Sequence, residues 1–328
     1  MATVMQAWYS KAVWLWLLAP FSGLFALLSA LRRGLYRLGF KKTYRAPVPV
    51  IVVGNLTVGG NGKTPLVVWL VYWLRAQGYQ PGVISRGYGG KSEYYPLLLT
   101  SETPAAQAGD EPVLIYRRTQ CPVVVGPKRT EAAALLAQQG VDIIISDDGL
   151  QHYALARDIE LIVIDGQRRF GNGQLLPMGP LREGVWRLKQ ADAIINNGGP
   201  THSGEYLMTL AAGALQPVST NLTPSAVAPQ TGQRVHALAG IGHPPRFFNT
   251  LSQLGFELAS QRALGDHQAI EPAQLLSLDT YPLLITEKDA VKWPGGHDNT
   301  WYLPVDAQLP PAFEQQLLTR LKELPHGD

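Results

Sequence analysis

The sequence predicts an α/β fold: a mostly parallel sheet with helices, a second smaller α/β lobe, and an N-terminal membrane-associated helix. Three observations carry it. Short β-branched apolar runs alternate with helical stretches, as in a sheet buried on both faces. The pattern loosens into Thr/Pro/Ser-rich sequence near residue 200 before α/β character resumes. A run of twenty uncharged residues, Ala12–Leu31, precedes everything else.

Trp8, Tyr9, Trp14 and Trp16 cluster at one end of that run, and Arg32, Arg33, Arg37, Lys41, Lys42 and Arg45 follow the other. Aromatic rings suit a membrane interface, and the basic cluster suits an anionic leaflet. By the positive-inside rule the chain after residue 31 is cytoplasmic. A cleaved signal peptide is disfavoured, because the charge follows the apolar run instead of preceding it. Pro20, Ser22 and Gly23 interrupt the run, so a shallow anchor competes with a true span. Residues 1–45 are therefore read as an anchor with a basic flank. The charge distribution agrees: residues 1–92 hold eleven Lys/Arg and no Asp/Glu, whereas the remainder holds seventeen against twenty-five. A basic front half calls for an anionic partner.

Residues 46–200 read as the core. Its strands are expected at Val50–Val53, Gly82–Ser85, Val123–Val125, Ile143–Ile145, Leu161–Ile164 and Ala193–Ile195, with helices at Thr64–Ala76 and Thr130–Gln139. Residues 201–328 read as the smaller lobe, with a strand at Val235–Ala239, a helix near Pro245–Leu254, a strand at Leu283–Thr286 and a closing helix at Pro311–Leu324. The single cysteine, Cys121, excludes an intramolecular disulfide and cysteine-rich zinc sites.

The strongest chemical signal follows the first buried strand: Thr57, Val58, Gly59, Gly60, Asn61, Gly62, Lys63 and Thr64. It matches the phosphate-binding loop G-x-x-x-x-G-K-[ST] except for Thr57 at the first position. Such a loop wraps phosphate oxygens with backbone N–H groups, brings Lys63 to the β/γ-phosphates and offers Thr64 to Mg²⁺. The core is thus of P-loop NTPase type. Asp147 and Asp148, ending a buried strand, are the candidate partners for the metal. Asp110, just ahead of a helix, reads either as a cap or as a catalytic carboxylate. Arg86, Arg168 and Arg169 are candidate phosphate contacts. The absence of an NKxD motif leans the nucleotide towards ATP over GTP.

Taken together these stretches resemble the tetraacyldisaccharide 4′-kinase family of Gram-negative lipid A synthesis. The matching residues are Val53–Thr57 running into Gly59–Thr64, Ser85–Gly90, Ala108–Pro112, Asp147–His152, Arg169–Gly173, Gly240–Gly242, Asp266–His267 and Thr286–Asp289. The family's loop also lacks the first glycine; where it often has Asp-His-His, this chain has Asp266-His267-Gln268. The resemblance implies transfer of the γ-phosphoryl of Mg-ATP to the 4′-hydroxyl of a tetraacyldisaccharide 1-phosphate at the cytoplasmic face of the inner membrane. It implies Asp110 as catalytic carboxylate paired to His267, Asp147 and Asp148 at the metal, contact with inner-membrane lipids, no nucleic acid and a monomer. A membrane-associated P-loop NTPase and a small-metabolite kinase are the alternatives.

Overall fold

A computed structural model describes residues 4–10, 12–218, 227–266, 268, 270–271, 275, 278, 280–295, 297 and 299–324. The strands in chain order are β1 Val50–Gly54, β2 Pro81–Ser85, β3 Leu97–Leu98, β4 Val123–Val125, β5 Ile143–Asp147, β6 Ile159–Asp165, β7 Ala193–Asn197, β8 Glu205–Ala212, β9 Gln216–Pro217, β10 Arg234–Ala239, β11 Glu257–Ala263, β12 Leu283–Thr286, β13 Thr300–Leu303 and β14 Val305–Gln308. They form a nine-stranded sheet in the order β14-β8-β7-β6-β1-β5-β2-β4-β3 and a five-stranded sheet in the order β11-β10-β12-β13-β9. Both are parallel except at β3, β9 and β14, which lie at sheet edges.

The alternation of side chains along β1 explains its wholly apolar sequence. Ile51 and Val53 face the helix Lys63–Ala76, where Leu66, Val67, Leu70, Val71 and Leu74 are fully buried. Val50 and Val52 face the opposite layer, with Ala132, Ala133 and Leu136 of the helix Arg129–Ala137. Both faces of the strand are covered, so no polar residue is tolerated on either. Each such aliphatic side chain contributes about 1.5–3 kcal/mol by leaving water.

The chain does not divide at residue 201. β8 and β14 join the first sheet, and the final helix, Pro311–Lys322, returns to its core through Phe313, Leu317 and Leu321. The second lobe is an excursion between β8 and β14. Its core is built by Val235, Ala237 and Ala239 of β10 against Phe247, Phe248 and Leu251 of the helix Pro244–Gln253. β8 escapes sequence reading because it is only partly buried, so its apolar pattern is diluted.

The N-terminal run differs from a kinked span. A 3₁₀ segment, Val13–Leu18, leads into a helix, Ala19–Arg37, and Pro20 falls in that helix's first turn. There its missing N–H leaves no intrahelical bond unmade, so it starts the helix and does not break it. Val13–Arg37 is long and apolar enough to cross a membrane. It is nevertheless docked along one side. Trp8, Leu15 and Met178 pack together, Trp8 Nε1 donates to Pro177 O at 3.0 Å, and Ser22 Oγ donates to Leu175 O at 3.0 Å while accepting from Met178 N at 2.9 Å. Phe21, Leu24, Leu27, Leu28 and Leu31 remain exposed.

Candidate active site

The site lies at the carboxyl ends of β1 and its parallel neighbour β5, where Val53 and Asp147 pair in register. The loop after β1 is braced by its own side chains. Asn55 Nδ2 donates to Thr57 O at 2.7 Å, and Asn61 Nδ2 to Thr57 Oγ1 at 2.8 Å. Asn55, Thr57 and Asn61 are all buried. Thr57 therefore stands where a glycine is usual because its hydroxyl ties the loop together. Asn197 Nδ2 donates to Asn61 O at 2.9 Å from β7.

Gly62 precedes the helix with φ +87°, and a Cβ there would fall 2.0 Å from Asn197 Nδ2. Both the left-handed backbone and the lack of space demand glycine. Gly62→Ala is expected to displace Asn197 and weaken ATP binding about tenfold or more, an effect of one to two kcal/mol of strain on this scale. An unchanged nucleotide affinity by equilibrium dialysis would show that the loop tolerates another shape.

Lys63 opens the helix with Nζ donating to Asn55 Oδ1 at 3.2 Å and 3.5 Å from Asp148 Oδ1; Thr64 follows it in the first turn. The two acidic residues diverge in role. Asp148, with φ 48°, accepts both Arg182 guanidinium nitrogens at 2.8 and 3.0 Å. Burial opposes its ionisation, but Lys63 and Arg182 outweigh it and hold the carboxyl well below the usual range. Asp147 Oδ2 accepts from Ser85 Oγ at 3.1 Å, whereas its buried Oδ1 has no hydrogen-bond partner. Burial, reinforced by the Glu111 carboxylate and opposed by Lys63, raises Asp147 to about 7. Arg129 donates to Asp147 O at 3.1 Å and so fixes the backbone at this point.

Asp110 begins the helix Asp110–Thr119, but it is not the cap: Gly109 occupies the N-cap position and makes no side-chain bond. Asp110 is 5% exposed. Its Oδ1 accepts from Glu111 N at 3.0 Å. Its Oδ2 faces Lys288 Nζ at 3.9 Å and Lys292 Nζ at 3.8 Å, both from the second lobe. His267 lies outside the described residues. Beside it, Asp266 Oδ1 pairs with Lys288 at 2.9 Å, and Gln268 Oε1 accepts from Gly265 N at 2.9 Å. Gln268 thus closes a turn at the position where the sequence departs from Asp-His-His.

The second lobe touches the phosphate loop through glycine. A Cβ on Gly242 would lie 2.4 Å from Gly60 N. Arg168, paired to Asp165 at 2.8 Å, donates to Gly60 O at 2.6 Å and to Gly242 O at 3.4 Å, so it stitches loop to lobe. Arg169 is instead held by both Glu205 oxygens at 2.9 and 2.6 Å, which makes it a tie to β8. Arg86 is exposed directly after β2. Sequence reasoning missed Asn55, Arg182, Asn197 and Lys292 as site residues. Only Asn55 and Lys292 sit next to a recognisable motif; Arg182 and Asn197 reach the loop through the tertiary fold.

Comparison with known proteins places these features in context. The family model for tetraacyldisaccharide-1-P 4′-kinase matches residues 14–322. The tetraacyldisaccharide 4′-kinase of Aeromonas salmonicida is 58% identical over 322 residues, covering 97% of this chain and 96% of that protein. The enzyme of the same name from Aeromonas hydrophila is 60% identical over 319 residues, covering 96% and 95%. The crystal structure of LpxK from Aquifex aeolicus in complex with ATP superposes with a TM-score of 0.73 at 28% identity, covering 92% of this chain and 98% of that one.

Proposed function

The chain belongs to the tetraacyldisaccharide-1-phosphate 4′-kinase family, and we propose that Asp110, Lys63 and the Asp147–Asp148 pair are the residues through which it carries out that family's reaction. The protein is an ATP-dependent kinase of lipid A biosynthesis, transferring the γ-phosphoryl of ATP to the 4′-hydroxyl of a tetraacyldisaccharide 1-phosphate. Among the geometric features, one carries the assignment of residues. Lys63 and the phosphate loop sit beside a buried acidic strand end, and a buried carboxylate outside the N-cap position opens the adjacent helix.

Residues Gly59–Thr64 wrap the phosphates, with Lys63 carrying positive charge to the β/γ region. Asp110 accepts the 4′-hydroxyl proton as that oxygen attacks the γ-phosphorus. The bond from phosphorus to the β–γ bridging oxygen breaks, ADP leaves, and His267 is the partner for the proton held on Asp110. The donor set fits Mg²⁺: Asp147 Oδ1 is a buried oxygen without a hydrogen-bond partner, a state that an oxygen-seeking cation relieves. Thr64 and Asp147 would hold the ion, with Asp148 shared with Arg182 and Lys63; when bound, it neutralises developing charge on the phosphates.

An amphiphilic acceptor also fits the N-terminal surface. A cleft of 590 Å³ has Trp8, Leu15, Trp16 and Met178 on its apolar side and Arg168 and Asn172 on its polar side. The docked helix with its exposed Phe21–Leu31 face is read as lying in the inner leaflet, with Arg32–Arg45 at the headgroups. Removing residues 1–31 is expected to lower association with anionic vesicles by about tenfold or more, since it deletes the buried apolar area. Co-sedimentation checks this. Undiminished binding would move the anchor to the Arg32–Arg45 patch.

The assignment as a whole is tested by phosphorylation of the acylated disaccharide 1-phosphate by the purified protein. Transfer to that acceptor, and none to a soluble sugar, is the expected result.

A further inference from the structure

We propose that Lys292, supplied by the second lobe, is the positioning residue for the Asp110 carboxylate. The inference rests on the reading of Asp110 as the base. Two ammonium groups approach Asp110 Oδ2 within 4 Å among the described residues, and they are not equivalent. Lys288 Nζ is engaged by Glu111 at 3.0 Å and by Asp266 at 2.9 Å, so it serves as a strap between the lobes, 3.9 Å from Asp110. Lys292 Nζ is buried, makes no hydrogen bond, and lies between two carboxylates: Asp289 Oδ1 at 3.2 Å and Asp110 Oδ2 at 3.8 Å.

The far carboxylate is fixed. Asp289 is fully buried, and its Oδ2 accepts from Gly240 N at 2.9 Å and from Thr286 Oγ1 at 2.6 Å. It cannot turn to give Lys292 a better bond without abandoning the Gly240 loop. Lys292 is therefore held by a rigid anchor and aimed at Asp110. A buried ammonium short of partners is costly, and the electrostatic pull of a second carboxylate offsets that cost.

The consequence for Asp110 is directional. Its Oδ1 is tied by its own helix through Glu111 N–H, while Oδ2 is left to the second lobe. Glu111, its neighbour, disfavours a second negative charge here. Across the interface Lys288 and Lys292 favour it, with Asp266 and Asp289 as their counterions. Because Lys288 is shared between Glu111 and Asp266, Lys292 is the cation whose loss leaves Asp110 least supported. The base is then complete only while the lobes are docked through Gly60–Gly242 and the Arg118–Glu287 pair at 2.9 Å.

The test is steady-state kinetics of the full-length enzyme with ATP and the acylated disaccharide 1-phosphate. Lys292→Met is expected to lower kcat about a hundredfold while the KM for ATP changes less than about threefold, and Lys292→Arg to recover most of the loss. In an Asp110→Asn background, Lys292→Met should change kcat by less than about threefold, because residues acting as a unit are not additive. Near-normal kcat for Lys292→Met overturns the inference. So does an undiminished loss in the Asp110→Asn background, which would place Lys292 on another group. Failure of Lys292→Arg together with a raised KM for ATP would show a structural role and overturn it as well. If Asp110→Asn is itself silent, the base assignment fails first, a result separable from all of these.

Discussion

Lys63→Ala is expected to abolish measurable transfer, a loss of at least about 10³-fold in kcat/KM, which corresponds to roughly 4 kcal/mol of transition-state stabilisation. Lys63 Nζ sits between Asn55 Oδ1 and Asp148, and in the proposed mechanism it is the cation that the loop presents to the phosphates. Lys63 lies at the helix start and is not among the residues of the buried apolar core, so the fold is expected to survive. Thermal unfolding within a few degrees of wild type checks that point. One compensation is built in: Asp148 keeps Arg182 when Lys63 is removed, and Asp147, which loses the Lys63 charge, keeps Arg129. Turnover near wild type would remove the phosphate loop from the mechanism. A collapsed melting temperature would instead make Lys63 a structural element of the loop.

Much of the fold was legible in the sequence because it rests on local rules. β1, β5 and β6 are built on the apolar runs Val50–Val53, Ile143–Ile145 and Leu161–Ile164 since both faces are covered, and the four helices given bounds start and stop within a residue or two of them. The glycine-rich loop stood out as the candidate phosphate site because its residues are contiguous. What escaped was non-local. β14 and the last helix return to the first sheet across the whole second lobe, a pairing that no periodicity announces. Arg182 joins Asp148 from thirty-four residues away, and Asn197 reaches the loop from β7. Pro20 misled for a different reason. Its effect depends on where a helix begins, and the 3₁₀ segment before it shifts that start to Ala19.

Asp110→Asn is expected to lower kcat by about 10²–10⁴-fold with a modest change in the KM for ATP, since a base acts in the transition state and the loop binds nucleotide throughout. The substitution discriminates well because it is nearly isosteric. Asn Oδ1 still accepts from Glu111 N, so the helix start and its packing are kept. Asn cannot take a proton from a hydroxyl. Removing the charge also strips Lys288 and Lys292 of one counterion, but each retains another: Glu111 and Asp266 for Lys288, Asp289 for Lys292. Stability should therefore move by no more than about 1–2 kcal/mol, far less than the catalytic loss. His267→Ala is expected to lower kcat similarly, and the double variant to be little worse than the poorer single one if the two act as a unit. A kcat for Asp110→Asn within about threefold of wild type would return Asp110 to a structural role. Gly109 already holds the cap position, so that role would be to support Lys288 and Lys292 at the lobe interface, and the loss would then appear in the melting temperature instead of the rate.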